Sequence, residues 1–159
     1  MIRTTLLCLA LLLIQGTWAQ NGPETDVLQR ASIIQLDWDT LSDVEFEFDY
    51  KEEEDVYYLK PNFGKKIQSF AGNKIRITGF FLNISGDGDV LLVSRNPMAS
   101  CFYCGAAGPE SVVEVNFMEQ PSFKTDQIVT VTGILELNYS DDDHFNYILN
   151  EATGILDDR

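Results

Sequence analysis

Two stretches of this chain place a glycine at the centre of a long run of β-forming residues: KIRITGFFLNI, from Lys74, and QIVTVTGILELN, from Gln127. They superpose on their Thr-Gly pairs, Thr78-Gly79 and Thr132-Gly133. A glycine inside a strand has no side chain to resist coiling, so it marks a bulge or a sharp bend. Three further strand candidates accompany them: VLLVS from Val90, SVVEVNF from Ser111 and HFNYILNEATGIL from His144. The first of these is apolar almost throughout. SGDGD (85–89) and YSDDD (139–143) read as turns. Five strands, two of them long and kinked at glycine, predict a mostly β chain built as a small five-stranded OB-like barrel. The alternative is an open β-sandwich.

Upstream, Val44, Phe46, Phe48 and Tyr50 alternate with Glu45, Glu47 and Asp49, the period of a strand with one wet face. KEEED (51–55) makes a charged turn, and VYYLKPNF (56–63) is a second extended stretch. A short helix is expected within Lys65 to Phe70. Phe46, Phe48, Phe80, Phe81 and Tyr147 are expected in the barrel core rather than on a stacking platform for bases. The expected organisation is a secretory signal over 1–19, a leader and acidic N-terminal extension over 20–61, and the barrel domain over 62–159.

The signal reading rests on Arg3, the nine-residue apolar run Leu6 to Ile14, and Thr17-Trp18-Ala19 ahead of a cleavage point before Gln20. That run is shorter than the roughly 18 to 20 residues a membrane helix needs. Periplasmic or secreted localisation follows, with no membrane insertion of the mature chain. Cys8 leaves with the signal, so the mature chain of about 140 residues keeps Cys101 and Cys104 alone. It also keeps 10 basic against 25 acidic residues, a net charge of −15. Such a surface repels phosphate backbones, which argues against nucleic acid as a partner.

The chemistry concentrates in SCFYCGAAGPES, residues 100–111. In an OB-like barrel the loop between the second and third strands emerges at the same end as the loop between the fourth and fifth. Cys101 and Cys104 would then share that end with His144, the one histidine of the chain. Two thiolates at C-x-x-C spacing form half of a tetrahedral zinc site, which His144 with Asp143 or Glu110 would complete. Met98 adds a thioether that would suit copper instead. A Cys101–Cys104 disulfide is the structural alternative, since residues three apart in a turn can meet the required Cα spacing. A thiol oxidoreductase would need a low-pKa thiolate at a helix N-terminus, and Gly105, Gly108 and Pro109 break such a helix. With no nucleophile–base pair and no phosphate loop, a non-enzymatic role is expected.

SRNPMASCFYCGAAGPESVVEV and LNYSDDDHFNYILNEA, with LDWDTL and PNFGKKIQSFAGNKIRITGFFL upstream, resemble the exported bacterial family described as domain of unknown function 3299, in its Bacteroidetes-type branch. The resemblance runs from about Leu36 to the end, and the CxxCG-x-AGPE block is its specific part. Relatives with the better-known pattern carry one cysteine and a proline-rich loop here, from which Cys101, Cys104 and Gly105 depart. The resemblance implies an OB-like fold, export to the periplasm and, for some members, the company of metal-related transport systems. The leading expectation is an exported soluble metal-handling accessory protein using zinc or copper. The other is a non-catalytic module that binds an envelope protein partner, with the cysteines as a structural bridge.

Overall fold

The computed structural model describes residues 33–52, 55–86 and 88–157. The signal and leader readings lie outside them. Ten elements follow in chain order: β1 (Ile34–Gln35), α1 (Trp38–Leu41), β2 (Val44–Lys51), β3 (Val56–Phe63), α2 (Lys65–Gln68), β4 (Lys74–Asn83), β5 (Leu91–Ser94), β6 (Val112–Phe117), β7 (Ile128–Leu137) and β8 (Tyr147–Leu156). Three single 3-10 turns, Met98–Ser100, Phe102–Cys104 and Pro109–Ser111, shape the loop between β5 and β6.

Five strands close into a barrel in the order β4-β5-β6-β8-β7, with β7 returning to β4. All pairings in the ring are antiparallel except β6 with β8. The barrel expectation therefore holds over the open sandwich. β5 covers only Phe80 to Asn83 of β4. β1 lies parallel on the strand's first half, with Ile34 opposite Ile75, and fills the edge that β5 leaves.

Alternation explains the core. Ile75, Ile77 and Phe81 of β4, Val129, Val131 and Leu135 of β7, and Val113 and Val115 of β6 point into one cluster. Leu36 and Leu41 from the residues around α1 join them, as do Phe63 and Ile67. Asp37 caps α1, its Oδ1 accepting the Thr40 N–H at 2.7 Å. The Tyr147 hydroxyl, fully buried, donates to the Leu41 carbonyl at 2.6 Å. The boundary expected at 61/62 falls inside β3, and Leu36 and Leu41 make the stretch before it part of the core.

Gly79 and Gly133 act differently. Gly79 faces Trp38, whose indole N–H donates to the Thr78 carbonyl at 2.9 Å. Opposite Gly133 the extra residue of a bulge lies in β8: Thr132 pairs Thr153, but Ile134 pairs Asn150. Glu151 takes the strain there at φ 50°. A non-glycine residue in this region costs roughly 1 kcal/mol, part of which glycine's chain entropy returns. Glu151→Gly is therefore expected to raise stability by up to about 1 kcal/mol in urea unfolding. A loss would mean that the Glu151 side chain supports the bulge.

β5 is buried at all four residues, as a strand covered on both faces must be. Its outer cover is a second apolar cluster of Leu82, Leu92 and Cys101, packed with Phe80, Val90, Met98 and Phe145. Of the five aromatic rings expected in the barrel core, Phe81 and Tyr147 are there, while Phe80 lies in this outer cluster. Phe46 is half-buried on the hairpin, and Phe48 is 80% exposed.

Candidate functional site, a cleft on the outer barrel wall

β2 and β3 form a separate antiparallel hairpin that stands beside the barrel. Its register puts Val44, Phe46, Phe48 and Tyr50 on one face with Phe63, Pro61, Leu59 and Tyr57. That face begins in the core, at Phe63 and Pro61, and ends in solvent, where Phe48 and Tyr57 are 80% and 74% exposed. Phe63 meets Tyr139 edge-on, with ring centroids 4.9 Å apart, and so ties the hairpin base to the loop between β7 and β8.

Between hairpin and barrel runs a cleft of about 470 Å³. The turn before β5 reaches it through Asp89 and Val90, the CxxC loop through Phe102 and Pro109, and β6 through Glu114. Residues 139–146 form its far wall. That loop is wound around Asn138, which is 8% exposed. The amide Nδ2 of Asn138 donates to the carbonyls of Asp141, His144 and Phe145, and its Oδ1 accepts the N–H groups of Ser140 and Asp141.

Glu114 is the buried charge of the site. Its Oε1 lies 2.8 Å from His144 Nδ1, and its Oε2 accepts the Phe145 N–H at 3.0 Å. The hydrogen bond to Glu114, its charge, and the nearby Asp141 and Asp143 hold the His144 imidazole above its ordinary value of 6.5. The fold thus favours protonated His144. The pair stabilises fully below the unfolded value near pH 6.5, and that contribution is lost as pH rises through the folded value. An NMR titration of the His144 ring should give a midpoint above 6.5 that falls towards 6.5 in Glu114→Gln. A wild-type midpoint at or below 6.5 would sink the pairing.

At the rim, the Lys51 ammonium pairs with the Asp142 carboxylate and stands 5.1 Å from the centroid of the Tyr58 ring. Asp142 and Tyr58 both line the cleft.

The cysteines lie in consecutive 3-10 turns. Cys101 is fully buried in the outer apolar cluster, while Cys104 is exposed, its thiol donating to the Met98 carbonyl at 3.0 Å. Both are free thiols. Partial loss of water and the neighbouring Cys101 hold the Cys104 thiol above its ordinary value. Asp143 is exposed, with its N–H on the Asp141 carboxylate, and Met98 packs in the apolar cluster. Among the described residues no three His, Cys, Asp or Glu side chains gather into a group that could hold a metal ion. Cys101, Cys104, Asp143 and His144 are therefore not drawn together here, because burial claims Cys101 and Glu114 claims His144. Nothing in the sequence marks Glu114, Tyr58 or Lys51 as site residues, and Asn138 stands out only as the first residue of an Asn-Tyr-Ser triplet. The one signal for a covered outer wall is the unbroken apolar run of β5.

Among the described residues no helix is long and apolar enough to cross a membrane. Comparison with protein-family models, curated proteins and solved structures finds no match to this chain.

Proposed function

We propose that this is an exported, non-catalytic binding protein of the cell envelope, and that the cleft between hairpin and outer barrel wall is its binding face. The observation that carries this reading is the cleft's position. It spans the loop after the first barrel strand, the third strand and the loop between the fourth and fifth, the region where barrels of the OB type take their ligands. The exposed aromatic end of the hairpin extends the same surface, and uncovered apolar patches of this kind mark interaction sites. The CxxC loop supplies a wall of the cleft through Phe102 and Pro109. In an oxidising compartment its two adjacent thiols would close into a bridge that fixes the loop's shape.

Metal handling by Cys101, Cys104, Asp143 and His144 would require Cys101 to leave its apolar seat and His144 to leave Glu114. Thiol catalysis would require an exposed, acidic first thiol, and Cys101 is buried. The deciding measurement is the mass of the mature protein isolated from the periplasm without reductant. A denatured mass two hydrogens below the reduced value, with no zinc or copper in the native spectrum, supports the interaction reading. Two free thiols with one bound ion would replace it by metal handling.

A further inference from the structure

Among the described residues the cleft's lining contains five carboxylates, on Asp89, Glu114, Asp141, Asp142 and Asp143, against one cationic side chain, His144, which Glu114 already holds, and no lysine or arginine. Aromatic rings from Tyr58, Phe102, Tyr139 and Phe145 share it. Acids beside ring faces form the surroundings in which an alkylammonium or guanidinium is held by charge and by the ring quadrupole together. The molecule already holds one such group at this place. The Lys51 side chain is 24% exposed, with its ammonium against both the Tyr58 ring and the Asp142 carboxylate.

We infer that the cleft takes a lysine- or arginine-bearing segment of a basic partner protein, and that Lys51 is an internal stand-in for it at the rim. This rests on the cleft being the binding face. The chain's net charge of −14 steers a cationic partner towards it and a nucleic acid away. The aliphatic stem of an entering lysine would lie along the aromatic lining, and its head would exchange places with Lys51 at Asp142. Displacing Lys51 would release the outer end of the hairpin from the loop between β7 and β8. Binding and hairpin position are thereby coupled through one ion pair.

The test is an NMR titration of the isotopically labelled mature chain with a hexalysine peptide, and with neutral Gly/Ser and hexaglutamate peptides of equal length. Hexalysine is expected to shift the amides of Tyr58 and of residues 139–146 in a saturable way, more weakly at high salt. Asp142→Asn should weaken binding by roughly threefold to fivefold, within what one partly exposed charged contact supplies. Lys51→Ala should tighten it by a similar factor, and Lys124→Ala, which removes the same charge outside the cleft, should leave it nearly unchanged.

Equal tightening by both lysine variants, with shifts spread over the acidic surface, would overturn the inference in favour of unselective attraction. Cleft shifts with the neutral peptide and none with hexalysine would overturn the cationic partner and leave the binding face standing. No cleft shift with any of the three peptides would also overturn the inference. The binding-face reading would then stand or fall separately, by whether envelope proteins crosslink to a photoreactive residue at Tyr139 and not to one at Ile155.

Discussion

Gly79→Val is expected to destabilise the protein by about 3 kcal/mol or more and to lower its melting temperature by roughly 10 °C. Valine is a favoured strand residue, so the loss isolates sterics from propensity. A Cβ at position 79 would stand 2.5 Å from the Ser94 carbonyl oxygen, 2.8 Å from Val93 Cγ1 and 2.8 Å from Trp38 Cζ2. The first of these is backbone of the neighbouring strand, which pairs Phe80 with Ser94 and cannot rotate aside. The third belongs to the ring that seats α1 against β4 through its bond to Thr78. Relief would require opening the β4–β5 seam or unseating α1. Gly133→Ala should cost less, because its nearest obstacle, the Asn150 carbonyl at 2.9 Å, lies at a bulge already irregular. Thermal unfolding of both variants checks the ranking. A melting temperature for Gly79→Val near that of the wild type would mean that Trp38 does not press on β4.

This contrast shows what the sequence carries and what it does not. Alternation and a central glycine are local signals, so both long strands, β5, β6 and the short helix near Lys65 are legible residue by residue. A mid-strand glycine announces a close approach without naming the partner. At Gly79 the partner is Trp38, about forty residues away, and at Gly133 it is a bulge in another strand. α1 has four residues and β1 two, both far below the length at which periodicity speaks. Phe46 and Phe48 share one alternating face, and nothing local says that cover ends between them. The site was the least legible part. Glu114 sits in VVEV, where nothing local marks a charged side chain for burial, yet the loop between β7 and β8 engages both its carboxylate oxygens on that wall. Its partners His144 and Phe145 come from thirty residues further on, a pairing that only barrel closure creates. The C-x-x-C spacing points to chemistry, but the fold uses Cys101 as an apolar side chain.

The cleft's acidic wall depends on one amide. Asn138→Asp preserves the two bonds accepted from the Ser140 and Asp141 N–H groups and turns the donor half into a second acceptor facing three carbonyls. A charge is added beside Asp141 at the same time. A buried acceptor left facing acceptors costs about 1–3 kcal/mol, and an added charge raises this, so the variant is expected to lose about 3 kcal/mol. Asn138→Ala should lose less, about 2 kcal/mol, because water can reach several of the freed groups in this loop. The reading specific to the loop is amide hydrogen exchange. Protection should fall at Asp141 and Phe145, while Val129, Val131 and Leu149 in the barrel remain protected. The Lys51–Asp142 pair should loosen with the loop, since Asp142 lies within the turn that Asn138 winds. If exchange instead rises uniformly across β7 and β8, Asn138 supports barrel closure itself, and the cleft wall is not an independently ordered unit.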